Sequence, residues 1–187
     1  CQGYISVPHK YQPEIVYKYE DWKIHGETSL LKAIAESCNV YFYTIGGGYG
    51  EQEGLGPTRI KNYLELFGWG EKTGIDLPAE SNGFIPDPTW KKTVKKEDWY
   101  DGDTYHLSIG QGDILVTPLQ VAAAFSAIAN GGKLFEPQVV QKIVDSQKNL
   151  VEEKEPKIIR ELNIDQKNLQ IVREGMREAV ILSLIHI

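Results

Sequence analysis

The chain has 187 residues, and 26 acidic residues against 20 basic ones give it a formal net charge of −6 at pH 7. With 41% hydrophobic and 25% charged residues, its composition is that of an ordinary globular protein and excludes a disordered or fibrous one. The acidic balance argues against non-specific binding to nucleic acid or to an anionic membrane surface, and no apolar run approaches the roughly 18 residues that a membrane-spanning helix needs.

The chain begins with an aromatic, irregular stretch in which only residues 14–19 have the composition of a strand. A helix is predicted to begin at Thr28 or Ser29, because apolar residues then recur three and four positions apart. Those residues are Leu31, Ile34, Cys38, Phe42 and Ile45. Asn39 is a poor helix former, so the pattern is compatible with a break at residues 37–39. The glycines at 46–48 end the helical pattern.

The next helix is predicted over residues 57–67, because Pro57 stands at its start and Gly68 where a helix commonly ends. Residues 70–99 are predicted to be mostly loop. We expect the lysine-rich stretch 91–96 within this loop to be a solvent-exposed face.

The last third of the chain has clearer signals. Thr117 and Gln120 form a capping box with proline between them, which predicts an alanine-rich helix that continues to Ala129. Residues 138–144 are predicted to be a strand, followed by a turn. Residues 165–180 are predicted to form a final amphipathic helix.

Three short strings carry the residue types of a serine acyl-transferase, whose motifs are S-x-x-K, S-x-N and K-T-G. In such an enzyme a serine attacks a carbonyl carbon, a lysine takes its proton, and the other groups relay protons and hold the substrate. The strings in this chain are Ser29-Leu30-Leu31-Lys32, Ser37-Cys38-Asn39 and Lys72-Thr73-Gly74.

The first and third strings fit a structural interpretation better. If Ser29 and Ser37 lay on one helix, they would be roughly 12 Å apart along its axis, which is too far for a proton relay. Ser29 is therefore interpreted as a helix N-cap and Lys32 as a solvated lysine. Lys72 precedes a proline-containing loop rather than a strand, so residues 72–74 are predicted to be a turn.

Longer blocks of sequence resemble the class B penicillin-binding proteins of the cell-elongation type. The block His25–Tyr43 resembles the surroundings of their S-x-N motif. More specific are Gly74-Ile75-Asp76-Leu77-Pro78-Ala79-Glu80 and Ser108-Ile109-Gly110-Gln111-Gly112, which occur in the order and spacing of that family. Together with the segments at 116–120 and 128–132, the resemblance covers residues 1–180.

The resemblance implies an α/β fold of the α+β type, the penicillin-binding and serine β-lactamase-like transpeptidase fold, of which this chain is a fragment covering mainly the helical subdomain. Residues 1–180 would be a partial transpeptidase domain, with the nucleophile's S-x-x-K before residue 1 and the K-[ST]-G strand after residue 180. Because residues 181–187 follow the last predicted helix without a cap, they are expected to be a non-native tail, with one more turn of that helix as the alternative. By the same resemblance, neither Ser29 nor Lys72 is catalytic.

The site residues that the resemblance leaves in the chain are Ser37 and Asn39. Ser37 would take part in the proton relay with the absent lysine, and Asn39 would hydrogen-bond the acyl donor or a bound β-lactam. Cys38 is expected to be a small buried group, with a disulfide to Cys1 as the alternative. No cofactor or metal is expected, because the two cysteines and four histidines lack the spacing of metal ligands.

The implied parent protein is a serine-type peptidoglycan D,D-transpeptidase that cross-links stem peptides during cell-wall elongation and is acylated by β-lactams. It would be held in the cell membrane by an anchor outside this fragment, with its catalytic domain extracytoplasmic, and would have membrane-embedded elongation partners but no nucleic-acid partner. The fragment alone is predicted to be inactive. Alternatives are a D,D-carboxypeptidase or β-lactamase-like hydrolase, and a non-catalytic module that binds the cell wall or a morphogenesis partner.

Overall fold

The computed structural model describes residues 1–9 and 11–182, which divide into two units. Unit 1 contains Cys1–Ile60, Pro86–Gly112 and the chain from Gln170 onward. Unit 2 contains Lys61–Ile85 and Asp113–Leu169. Within the described residues, no helix combines the length and the apolar character that crossing a membrane requires.

Unit 1 begins with an antiparallel hairpin of β1 (Tyr4–Pro8) and β2 (Val16–Glu20), in which Tyr4 lies opposite Glu20. The helices of the chain up to residue 108 are α1 (Leu30–Ala35), α2 (Asn39–Gly47), α3 (Gly56–Leu66), α4 (Pro88–Trp90) and α5 (Asp101–Ser108). A π-helical turn, Lys91–Lys95, follows α4, and α7 (Gln166–Ile181) is the last helix. Helices α3 and α7 each have residues in both units.

The core of unit 1 is formed where α2 packs against α5 and the hairpin. Its buried residues are Ile5, Ala33, Cys38, Val40, Tyr43 and Tyr105. The two helices approach closely because α2 ends in glycines: a Cβ at Gly46 would overlap the Ser108 side chain, and one at Gly47 would overlap the ring of Tyr105. Residues 46–48 therefore serve helix packing and the end of a helix.

Unit 2 is built around α6 (Pro118–Ala129) and two small antiparallel pairs. Strand β3 (Lys133–Phe135) pairs with β6 (Ile158–Glu161), and β4 (Lys142–Val144) pairs with β5 (Leu150–Glu153). Its core contains the buried residues Ala127, Leu134 and Leu162, with Leu66, Phe67, Ala123 and Ile164 packed against them.

Polar side chains organise the loop between α3 and α4 in unit 2. The fully buried Gln120 donates from Nε2 to the carbonyl oxygens of Glu71 (2.7 Å) and Asn82 (2.9 Å). The Glu80 carboxylate accepts from the backbone N–H groups of Thr73 (2.7 Å) and Gly74 (3.1 Å) and from the Thr73 hydroxyl. A loop without regular secondary structure thus has its backbone groups satisfied by side chains.

A second acidic side chain of the same loop binds the chain after β3. The Asp76 carboxylate accepts from the N–H groups of Val139 (2.9 Å) and Val140 (3.1 Å). These hydrogen bonds hold the pKa of Asp76 below its ordinary value. The acidic residues of the block Gly74–Glu80 are therefore structural in this chain.

Several elements differ from the sequence-based expectations. The helix predicted from Thr28 or Ser29 is broken into α1 and α2, at the place where Asn39 allowed a break. The predicted strand 138–144 is reduced to Lys142–Val144, and α5 lies in a region where no helix was expected. The expected tail, 181–187, lies mostly outside the described residues, since the structure describes only 181 and 182 of it.

The expectation of an exposed lysine face at 91–96 is wrong for Lys91. This side chain is buried, and its Nζ donates to both carboxylate oxygens of Asp103, at 2.7 and 2.9 Å. A buried ammonium group needs such a partner, because desolvation without one is costly. The other lysines of the stretch, Lys92, Lys95 and Lys96, are exposed as predicted.

Candidate functional site

The S-x-N string forms the turn between α1 and α2, which we call the S-x-N turn (residues 36–39). Ser37 is exposed and has a φ of +53°, a left-handed conformation that is uncommon for any residue except glycine. The turn closes through the Cys38 N–H, which donates to the carbonyl oxygen of Ala33 at 3.0 Å. Asn39 is half-buried and is the first residue of α2. The turn therefore exposes Ser37 beside the N-terminus of a helix.

The α1 side of the turn is bound by Trp22. Its indole Nε1 donates to the carbonyl oxygens of Glu36 (3.2 Å) and Ser37 (3.0 Å). The Lys23 ammonium lies 4.7 Å from the Trp22 ring centroid and forms an ion pair with the Glu36 carboxylate at 2.9 Å. Carbonyl groups at the end of a helix lack intrahelical partners, and here one side chain supplies a donor for two of them.

The α2 side of the turn is bound by Asp21, whose side chain is fully buried. Its Oδ2 accepts from the N–H of Val40 at 3.0 Å and from the thiols of Cys38 (3.2 Å) and Cys1 (3.4 Å). Burial opposes ionisation of this carboxyl group, but the hydrogen bonds from Val40 and Cys38 outweigh it and lower the pKa of Asp21. Asp21 thus acts as an N-terminal cap for α2, although it is distant in sequence.

His25 lies between two carboxylates behind the turn. Its Nδ1 is 2.8 Å from Glu36 Oε2, and its Nε2 is 3.3 Å from Asp21 Oδ1. The imidazole is buried. It connects the residue that caps α2 with the last residues of α1, so both sides of the turn belong to one polar network.

Ser29 and Lys32 have structural roles. The Ser29 hydroxyl accepts from the N–H of Lys32 at 3.3 Å, so the interpretation of Ser29 as an N-cap is confirmed. The interpretation of Lys32 as solvated is wrong: its Nζ donates to the carbonyl oxygens of His25 (2.6 Å) and Glu27 (2.9 Å). These two acceptors hold the strand-to-helix connection against α1.

The string Lys72-Thr73-Gly74 lies in the loop of unit 2 and not on a strand. Thr73 is buried, and Glu80 binds both its N–H and its hydroxyl. The three residues have neither strand nor turn conformation, so the expectation that the string does not lie on a strand is confirmed and the predicted turn is not. These residues are therefore part of the loop structure rather than a substrate clamp.

One group of side chains could hold a metal ion. The sulfur atoms of Cys1 and Cys38 and a carboxylate oxygen of Asp21 lie within 4.8 Å of one another, and His25 borders the same carboxylate. Thiolate, imidazole and carboxylate ligands are the set that zinc binds in proteins. Both cysteines are free thiols in the structure, and burial raises the pKa of Cys38 to about 11, so this thiol donates a hydrogen bond.

Sequence reasoning missed this group because it considered only spacing along the chain. Cys1 and Cys38 are brought together by the β1–β2 hairpin, which returns the chain to its starting point at Asp21. The available signal was the combination of Asp21 and His25, four positions apart, just before the S-x-N string. Cys38 itself is fully buried, as predicted.

A separate cavity of about 900 Å³ lies in unit 1. It is lined by the hairpin, including Tyr17 and Tyr19, and by the segment 98–103 with His106. Neither Ser37 nor Asn39 lines it. The S-x-N turn is therefore a surface site and not the floor of this cavity.

Comparisons with known proteins identify the family of the chain. The family model described as "Penicillin binding protein transpeptidase domain" matches residues 3–182. The chain belongs to this family. The family and the mixed α/β fold expected from the sequence blocks are thereby confirmed.

Named relatives point to one branch of the family. The chain is 40% identical over 127 residues to the peptidoglycan D,D-transpeptidase MrdA of Acinetobacter baumannii, which covers 67% of this chain and 18% of the relative. A solved structure of penicillin-binding protein 2 from Helicobacter pylori is 38% identical, with a TM-score of 0.74, over 94% of this chain and 29% of that one.

A second Helicobacter pylori structure, the complex of penicillin-binding protein 2 with MreC, matches with a TM-score of 0.71 at 36% identity, again over 94% of this chain and 29% of that one. The chain thus spans about one fifth of the length of the curated relatives that it matches.

Proposed function

We propose that this chain is part of a peptidoglycan D,D-transpeptidase that cross-links stem peptides during cell-wall elongation. The observation that carries the proposal is the S-x-N turn, where an exposed serine and a half-buried asparagine are held at a helix N-terminus by a buried network. The identity to MrdA, a named D,D-transpeptidase, supports the same activity.

The proposed reaction has two steps. A serine outside this chain attacks the carbonyl carbon of the penultimate D-alanine and forms an acyl-enzyme, and the terminal D-alanine leaves. The acyl group is then transferred to the amine of a neighbouring stem peptide. Each step moves a proton between a serine, a lysine and an amine, so a hydroxyl group that both donates and accepts is useful at this place.

Ser37 is suited to that proton transfer. Its hydroxyl is on an exposed residue, while the backbone on both sides of it is bound by Trp22 and Asp21. A fixed backbone with a rotating hydroxyl lets one group serve as donor in one step and acceptor in the next. We assign Ser37 the relay role.

Asn39 is suited to substrate binding. Its side-chain amide offers both a carbonyl acceptor and an NH₂ donor, which is the pattern that pairs with a peptide amide. It begins α2, so its side chain is held on a rigid element. We assign Asn39 to the acyl donor's amide and to the corresponding amide of a β-lactam.

The cellular setting follows from the same proposal. The parent protein would be held in the membrane, with the transpeptidase domain outside the cytoplasm, where stem peptides and β-lactams are found. The complex of the Helicobacter pylori relative with MreC supports a morphogenesis protein of the elongation machinery as a partner.

The chain by itself is proposed to be inactive, because its one S-x-x-K string is used structurally. Ser29 caps α1, and Lys32 is bound to two carbonyl groups. Incubation of the 187-residue chain with a fluorescent penicillin is expected to leave it unlabelled. Stoichiometric labelling of any serine would contradict this.

The proposal is tested with the full-length protein. Ser37→Ala and Asn39→Ala are each expected to reduce acylation by a fluorescent penicillin and formation of cross-linked dimers by at least about 100-fold. Ser29→Ala is the matched control, since it removes a hydroxyl eight positions away and only weakens a helix cap. Release of D-alanine without dimers would instead indicate a hydrolase, and absence of acylation would indicate a non-catalytic binding module.

A further inference from the structure

The S-x-N turn has a conformation that its own residues do not favour. Ser37 adopts a φ of +53°, where L side chains crowd the backbone. Such a conformation is strained and persists only when the surroundings determine it. The conformation of Ser37 therefore depends on the side chains that bind the carbonyl groups of the turn.

Trp22 is the side chain that binds these carbonyl groups on the α1 side. Its indole N–H lies between the oxygens of Glu36 and Ser37, at 3.2 and 3.0 Å, and donates to both. Asp21 binds the other side through the Val40 N–H. Trp22 thus binds the carbonyl groups of both peptides that flank Ser37, and Asp21 binds the start of the helix that follows.

The orientation of the Trp22 ring is itself constrained. The Lys23 ammonium lies over the ring at 4.7 Å, and the His25 ring approaches at a centroid distance of 5.4 Å and an interplanar angle of 80°. The backbone N–H of Trp22 donates to Asp21 Oδ1 at 2.9 Å, so the main chain that carries the ring is held as well. Because the Trp22 side chain is already restrained, little further conformational entropy is lost when its indole N–H binds the two carbonyl groups.

Trp22 is nevertheless a poor candidate for a core residue. It is 45% exposed, so exchanging it for another aromatic ring removes little buried surface. Its contribution is concentrated in one N–H group aimed at the turn. Exchanging Trp22 for another aromatic residue therefore tests the role of the N–H group with little change in the stability of the fold.

We infer that Trp22 is a positioning residue for the acyl-transfer site, because it fixes the backbone that carries the Ser37 hydroxyl through the carbonyl groups of Glu36 and Ser37. This inference rests on the proposed function of Ser37. Loss of the indole N–H leaves the serine in place but lets the turn adopt other conformations, so proton transfer slows while the binding of substrate by Asn39 changes little.

The test is Trp22→Phe in the full-length protein, which keeps an aromatic ring for Lys23 and His25 and removes the N–H. We expect the rate constant of acylation by a fluorescent penicillin at saturation to fall about 10-fold, with the half-saturating concentration within about twofold of wild type. The double variant Trp22→Phe/Ser37→Ala is expected to be no slower than Ser37→Ala alone, because the two residues act as one unit.

The matched control is Trp69→Phe. Among the described residues, Trp69 Nε1 is buried without a hydrogen-bond partner, so the same exchange there removes no hydrogen bond. Its acylation rate constant is expected to stay within twofold of wild type. A Trp22→Phe rate constant within twofold of wild type, or an additional loss on top of Ser37→Ala, would overturn the inference.

A readout independent of activity separates the inference from the proposed function. The Ser37 and Cys38 amides donate to the carbonyl oxygens of Ile34 and Ala33. Their hydrogen exchange is expected to become at least about 10-fold faster in Trp22→Phe and to stay unchanged in Trp69→Phe. Unchanged exchange in Trp22→Phe would overturn the inference, whereas lack of acylation in the wild type would overturn the proposed function alone.

Discussion

The two units use acidic and amide side chains to bind backbone groups, but for different purposes. In unit 1 the buried Asp21 joins a helix to a hairpin that already packs against an aromatic core. In unit 2 Gln120, Glu80 and Asp76 hold a long loop that has little secondary structure of its own. Unit 1 therefore depends most on packing between helices, and unit 2 on hydrogen bonds from side chains.

The largest expected effect is at Gln120 in unit 2. Gln120→Ala leaves the carbonyl groups of Glu71 and Asn82 and the N–H of Thr117 without their partner inside the protein. We expect a loss of about 3 to 4 kcal/mol in the free energy of unfolding, because each buried unpaired group costs about 1–3 kcal/mol. The urea unfolding transition of the full-length protein measures it.

The control for that change is Gln170→Ala, which removes an exposed amide that bonds only Glu174 on the same helix. It is expected to change the free energy of unfolding by less than about 0.5 kcal/mol. If the two substitutions were equally mild, the loop of unit 2 would not depend on Gln120.

A somewhat smaller effect is expected at Gly46 in unit 1. Gly46→Ala places a methyl group where the Ser108 side chain lies, so α2 and α5 must separate. We expect a loss of about 2 kcal/mol, in the range observed for overpacked cores. Thermal unfolding of the full-length protein provides the measurement.

The double variant Gly46→Ala/Ser108→Gly sharpens this test, because it removes the side chain that the new methyl group would meet. It is expected to be more stable than the sum of the two single changes predicts. Strict additivity would show that the helices do not meet at this point.

The smallest effect is a pH dependence in unit 2. Partial desolvation opposes ionisation of Glu80, but hydrogen bonds from Thr73 and Gly74 outweigh it and lower the pKa of the carboxyl group. A lowered pKa in the folded state means that the stabilisation is complete above about pH 5 and is lost as the pH falls below about 4.3, through the folded-state pKa. Glu80→Gln is expected to flatten the decline in stability between about pH 5 and pH 3, measured by urea unfolding across that range. A decline as steep as that of the wild type would assign it to other carboxylates.

The sequence predicted the helix ends that are set by residues close together along the chain. The capping box of Thr117 and Gln120 begins α6 as expected, and Ser29 caps α1. The break before Asn39 was compatible with helix propensity alone. In the two capped helices the groups that decide the structure lie within four residues of one another, whereas the break before Asn39 is also held by Trp22 and Asp21.

The sequence did not predict elements that depend on distant partners. Helix α5 begins with Asp101-Gly102-Asp103 after Tyr100, a poor helical sequence, and is stabilised by Asp103 binding Lys91 and the Tyr100 N–H. Strand β1 pairs with β2, which lies eight or more positions further along the chain. The group of Cys1, Asp21 and Cys38 arises in the same way, through folding of the hairpin.

The Asp21 carboxylate connects the beginning of the chain mechanically to helix α2. One of its oxygens receives hydrogen bonds from the first residue of the chain, Cys1, and from the start of α2 at Cys38 and Val40. A displacement of the chain where it enters β1 is thus transmitted through one oxygen atom to the helix that carries Asn39.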